Sequence, residues 1–444
     1  MPDQESSTKM ERLLLLAAAA IGGGLLGTQG APPFKQLAEG ASATATLVKE
    51  ALADRPAILE PIVYQGEGLV AFDPDQAEPG NTLIQGIWPE GTQIRLLDEQ
   101  GEELHRWTAD LFKVWPDANE VFKEVTVPKS HFNYFIQGMH PLADGSVILN
   151  FGQFGAAKID KCSELVWRSD RPTHHSVTPA GDGTYWIPGI ISVAETPDKY
   201  IPTILNKNQI LNLIGDSTSK GYNASILRVD ADGKVLKEFS LLGAIYDAGL
   251  ESGLYSSLHE TPADPVHLND IEIVTPVLAS KIDGVQPGDL LVSIREMHML
   301  AIVDQDDGHI KWHQIGPWVR QHDPDITPDG MIEVFNNRAN YIGPGIDTSQ
   351  IVRFDPVTRK AQVILPVGEQ DKFYSRIMGT HETLANGNRL IAESAAGRVF
   401  EVTKQGQIVW DYRMPYNKDT ASLFAAASRL PKDYFDMGAL KCSK

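Results

Sequence analysis

Residues 398–412, RVFEVTKQGQIVWDY, decide the fold: an apolar run, a polar turn around Thr403 and Gly406, then a second run ending in tryptophan and tyrosine. Two strands joined by a short glycine-containing turn are the direct reading of that pattern. It recurs upstream as TQIRLLDEQGEELHRW from Thr92, AAKIDKCSELVWRS from Ala156, SILRVDADGKVLKEF from Ser225, LAIVDQDDGHIKWHQ from Leu300 and IVRFDPVTRKAQVIL from Ile351. The turn positions Asp98, Asp160, Asp230, Asp304, Asp355 and Thr403 lie 48 to 74 residues apart, which leaves room for four strands in each of six repeats. That period belongs to blades. The expectation is an all-β chain, a six-bladed β-propeller over residues 62–415, preceded by a signal or anchor segment (1–31) and a stalk (32–61), and followed by a tail (416–444).

The other half of each repeat is a strand, a turn and a strand, as in GMHPLADGSVILNF, HHSVTPAGDGTYWIP, HLNDIEIV with DLLVSIRE, QHDPDITPDGMIEVFNN and THETLANGNRLIAES. Each carries histidine at or near its start. The first repeat, read as GLVAFDP followed by GNTLIQG, has none. A radial arrangement puts the first strand of every blade beside the central channel, so His140, His174, His175, His267, His322 and His381 are expected to converge there. His140 taken alone reads as a hydrogen-bonded structural residue. The repeat aspartates and glycines read as turn formers, Trp107, Trp167, Trp312 and Trp410 as packing between blades, and His105, His309 and His313 as outer-strand or turn residues. Excess length at 195–220 and 241–264 predicts long loops near the histidine-bearing strand starts.

A formal charge of −19 disfavours nucleic acid and anionic lipid as partners. Two cysteines, Cys162 and Cys442, cannot build a zinc site of the usual spacing, but suffice for one disulfide in an oxidising compartment. Leu13 to Gly30 is uncharged and near the lower length for crossing a bilayer. An anchored, periplasmic or otherwise extracytoplasmic protein is therefore expected.

Four segments, DPVHLNDIEI from Asp264, LLVSIREMHMLAIVD from Leu290, VRQHDPDITPDG from Val319 and LANGNRLIAESAAGRVFEVTKQGQIVWDY from Leu384, resemble the bacterial arylsulfotransferases over residues 138–412. Those enzymes move a sulfuryl group between aryl compounds without an adenylyl-sulfate donor. The resemblance implies that His322 of QHD is the nucleophile and is transiently sulfated. His267 and Asn269 of H-L-N, Arg295 of S-I-R, and His174 or His175 would hold the sulfuryl oxygens, with His381 as a pocket residue or second acid. It implies an aryl sulfate and a phenol as small-molecule partners and no cofactor or metal. The sequence departs from the family pattern before the last blade, where Met378 stands in place of an arginine and Arg376 lies two residues earlier; the run REMH after Ile294 is also unusual.

Independently of any relative, sulfuryl transfer needs a nucleophile that is uncharged yet basic near neutrality, which imidazole supplies. The sulfuryl oxygens need cationic and neutral donors in a partly dehydrated site. Asp270 and Asp323, next to site residues, either orient an imidazole or satisfy backbone donors, and the second is the preferred reading. A competing reading is a membrane-anchored propeller scaffold or metal-binding module, since a propeller alone does not specify a function.

Overall fold

The computed structural model describes residues 55–123, 125–128, 130–214, 221–339 and 348–442. The expected anchor and most of the stalk lie outside the described residues. Among the described residues no helix is long and apolar enough to cross a membrane.

Residues 59–442 form six antiparallel sheets. Blade two, for example, runs outward as Ile136–Pro141, Val147–Phe151, Gly155–Ile159 and Leu165–Arg168. The second strands are buried on both faces, as Asn81–Trp88 and Leu290–Ile294 show, so they read as continuous apolar runs. Six hydrophobic clusters fill the spaces between blades, each formed by two neighbours: Ile148 with Leu227, Leu291 with Val334, and Phe335 with Phe400 are examples. Six interfaces among six blades make a closed ring.

Closure corrects the sequence reading of the first blade. Its innermost strand is Leu423–Leu430, which pairs with Asn81–Trp88. The propeller therefore runs past residue 415 into what the sequence assigned to a tail. GLVAF, Gly68–Phe72, is instead a fifth, outermost strand of blade six, paired with Ile408–Arg413. The physical reason is local: FAAAS packs at a narrow axis, and Gly86 opposite lies so close to Leu423 that a Cβ would sit 2.0 Å from its carbonyl oxygen.

The repeat turns behave as read. Asp98, Asp160 and Asp230 each accept two backbone N–H groups of their own turn through Oδ1, and Thr403 Oγ1 does the same in blade six. Trp107, Trp167 and Trp410 each donate their indole N–H to a turn carbonyl of the next blade, at Gly145, Ala231 and Glu99. These bonds join neighbouring blades at the outer rim while the apolar ring packs. Cys162, in the outer turn of blade two, is disulfide-bonded to Cys442, with Cα atoms 5.6 Å apart. The bond ties the segment after the closing strand to the neighbouring blade.

Candidate active site

Inner strands of the blades border one channel cavity of about 260 Å³, whose lining includes His175, Asn269, His322, Asp323, Met378 and Gln137. β-Bulges aim several of these side chains. The pairing register slips at Gln137, Asn269, Asp323 and Ala425, so one extra residue in each of four inner strands turns toward the channel. Bulges re-aim side chains in this way. His175, His267, Asp323 and Met378 also have positive φ, at 56°, 50°, 51° and 54°. Non-glycine residues adopt that conformation at a cost and cluster where function demands it.

Neighbouring side chains hold the His175 backbone in place. Its N–H donates to Gln137 Oε1 at 3.2 Å, and its carbonyl accepts from Asn150 Nδ2 at 3.0 Å. The inner strand of blade two approaches that carbonyl at Gly138, where a Cβ would lie 2.2 Å away. Of the His174–His175 pair, His175 lines the cavity while His174 sits behind it, their Nδ1 atoms 2.8 Å apart. The His267 ring lies 4.9 Å from that of His175, and the His322 ring 6.3 Å from it. Four of the expected imidazoles therefore meet.

The tautomer of His322 follows from its neighbour. Asn337 Nδ2 donates to the carbonyls of Ser375 and Met378 at 2.9 and 2.6 Å, which leaves Asn337 Oδ1 facing His322 Nδ1 at 2.8 Å. Nδ1 carries the proton, and Nε2 keeps its lone pair. His267 Nδ1 donates to Asp264 Oδ2 at 2.5 Å, and its buried Nε2 has no hydrogen-bond partner among the described residues. Asp264 closes the 241–264 insertion, which folds not as the expected loop but largely as two helices, Leu241–Asp247 and Ser252–Glu260, so a helical insertion positions a site histidine.

Arg295 begins a 3-10 turn after Leu290–Ile294, and its backbone N–H donates to the His267 carbonyl at 3.1 Å. Its guanidinium rests on Glu296 Oε1, at 2.9 Å from Nε and 2.5 Å from Nη2. Arg320 Nη2 reaches the same oxygen at 2.5 Å, and the Arg320 N–H donates to His298 Nδ1 at 3.1 Å. One buried carboxylate thus gathers two guanidiniums beside the histidines. The unusual REMH run is explained: Glu296 and His298 position Arg320, a residue the sequence reading missed. Arg376 pairs with Glu60 at the surface, while Met378 lines the cavity. Arg320 supplies the second cation near the histidines.

Three expectations need correction. His140 stands apart from the cluster, against Tyr185 at 5.7 Å. His381 lies among carboxylates, its Nδ1 2.8 Å from Asp323 Oδ2, and it does not join the other imidazoles. Asp323 accepts both the backbone N–H and the ring of His381, so it is more than a backbone acceptor. Asn269 donates from Nδ2 to the Gln321 carbonyl at 2.7 Å, bridging blades four and five, while its buried Oδ1 is unpartnered among the described residues.

Burial and the nearby Arg295 push His322 down to about 3; burial and the same cation hold His267, and burial and the neighbouring imidazoles hold His175, well below the ordinary imidazole value. A histidine with a depressed value stays neutral as acid is added until pH falls to that value. The imidazoles are therefore neutral throughout the usual assay range. We expect donor kcat/KM to change by less than about twofold between pH 7.5 and 5.5; an acid limb centred near 6.5 would show an unperturbed imidazole in the rate-limiting role.

The family model described as arylsulfotransferase (ASST) matches residues 138–415. No curated protein matches the chain. Among solved structures, a Bacteroides caccae protein of unknown function shares 11% identity at TM-score 0.47, covering 78% of this chain and 99% of its own. A catalytically inactive virginiamycin B lyase variant from Staphylococcus aureus with quinupristin shares 12% identity at TM-score 0.35, covering 62% and 69%. The quinohemoprotein alcohol dehydrogenase of Comamonas testosteroni shares 10% at TM-score 0.38, covering 80% and 68%. At those scores these likenesses carry no argument.

Proposed function

This chain belongs to the arylsulfotransferase family, and from that premise we propose that it moves a sulfuryl group from an aryl sulfate to a phenol through a sulfohistidine at His322. The observation that carries the reading is the lone pair left on His322 Nε2 by the Asn337 bond, beside two guanidiniums that share Glu296. Nε2 attacks sulfur; the N–S bond forms as the S–O bond to the aryl group breaks, and the phenolate leaves. In the second step the acceptor phenol oxygen attacks sulfur, and the N–S bond returns its electrons to Nε2.

Arg295 and Arg320 face charge that builds on the sulfuryl oxygens, where preorganised donors contribute most. His267, held by Asp264 at 2.5 Å through Nδ1, keeps its Nε2 lone pair and takes the proton from the acceptor phenol in the second step, passing it on to solvent, while the first aryl group leaves as the phenolate anion. His175 lines the same cavity, and Asn269 offers its second amide hydrogen. We also place the protein outside the cytoplasm, tethered by its N-terminal apolar segment; the disulfide fits an oxidising compartment.

Purified protein given p-nitrophenyl sulfate and phenol is expected to release nitrophenolate and phenyl sulfate in equal amounts, with release slowing after one turnover when phenol is withheld. Steady release of inorganic sulfate at the same rate without phenol would make water the acceptor. No release with either acceptor would sink the transfer reading.

A further inference from the structure

Beneath the histidine cluster the inner strands of blades four to six carry a second group of side chains that sulfuryl transfer does not use. Asp270 and Glu272 come from Leu268–Ile273, Asp323 and Asp325 from His322–Ile326, and His381 from Thr380–Thr383. Among the described residues, His381 is the sole ion-pair partner of Asp323 and of Asp325, and Asp270 and Glu272 have none. Four carboxylates gathered on neighbouring inner strands, three of them bordering the channel cavity and Asp325 about a third exposed, favour a bound cation or proton among them.

His381 distinguishes this group from a mere acidic cluster. Its side chain is fully buried, and its Nε2 has no hydrogen-bond partner among the described residues. Nδ1 is taken by Asp323 Oδ2 at 2.8 Å, which fixes the proton there and leaves a lone pair on Nε2. A carboxylate that holds one imidazole nitrogen while the other faces a cation is the usual support of a metal-bound histidine. Asp325 Oδ2 lies 3.6 Å from that Nε2, near the roughly 3.4 Å between two ligands of a tetrahedral ion about 2.1 Å from each. One ligand atom from each of Asp323, Asp325 and His381 lies within 4.8 Å of the others.

We propose that His381, through Nε2, and Asp325 hold a divalent first-row transition cation, Zn²⁺ or Mn²⁺, between the innermost strands of blades five and six, with Asp323 as the carboxylate that fixes the imidazole through Nδ1. One imidazole nitrogen with carboxylate oxygens suits those ions. The cation neutralises the carboxylates, with Asp270 and Glu272 adding field around it. Because Asp323 directly follows His322, the site also braces the bulge that presents the nucleophile. The sequence reading expected no metal.

The test uses tag-free full-length protein, stripped with EDTA and titrated with Zn²⁺ or Mn²⁺ by calorimetry, with metal content measured after gel filtration. Roughly one ion per chain is expected to bind, and binding should raise the thermal midpoint. Asp325→Asn and His381→Gln should each lower affinity at least tenfold. His322→Ala should retain the ion, which separates this site from the transfer chemistry above it. Absence of stoichiometric binding by either ion to the wild-type protein would overturn the proposal whether or not the variants fold. Wild-type affinity in a folded Asp325→Asn would overturn it as well.

Discussion

His322→Ala is expected to lower turnover of p-nitrophenyl sulfate by about 10⁴-fold or more, as when a covalent nucleophile is removed from an enzyme whose residues act as a unit. The residual rate would come from binding and the cationic donors. The fold should survive, because the ring is anchored through Asn337, whose amide is held independently by Ser375 and Met378. Turnover and the thermal midpoint, measured on the same preparation, check both halves. A folded variant with more than a tenth of the wild-type rate would remove His322 from the chemistry.

Arg295→Met is expected to lower kcat by about 10²–10³-fold, equivalent to about 2.7–4 kcal/mol of transition-state stabilisation for one lost oxyanion donor. The loss should fall on kcat more than on KM, since charge on the transferring oxygens grows toward the transition state. Arg295→Lys keeps the charge but loses the planar fork that now spans Glu296 through Nε and Nη2, so it should recover little of the rate. Steady-state kinetics over a range of donor concentrations separates the two parameters. Equal loss in KM with kcat untouched would make Arg295 a ground-state binding residue.

Blades were legible because their information is local and repeated. Asp98 or Thr403 bonding its own turn, and Trp107 or Trp410 at the end of an outer strand, are events within a few residues of one another or at a fixed offset in each copy. Ring closure was not, because it depends on which of two apolar segments wins a partner more than 300 residues away; Leu423–Leu430 took the place given to Gly68–Phe72. Convergence of His175, His267 and His322 follows from their shared position at the start of an inner strand. His381 shares that position and still parts from them, because Asp323, the bulged residue next to His322, accepts its backbone N–H and its ring. A single extra residue in a strand redirects a side chain without leaving a pattern in the sequence.

Arg320, Glu296 and Asn337 were missed for a related reason: each acts through a partner distant in the chain. The REMH run did carry a signal. An acidic residue directly after a site arginine, on a buried turn, needs a second cation, and Arg320 is it.

The most direct test is to mix wild-type protein with an aryl sulfate in the absence of phenol, quench at neutral to alkaline pH, and map the sulfuryl adduct by peptide mass analysis. One adduct per chain, on the peptide holding His322 and discharged when phenol is added, is the predicted result. An adduct on another residue, or steady transfer with no adduct formed at a rate competent for turnover, would contradict a sulfohistidine at His322.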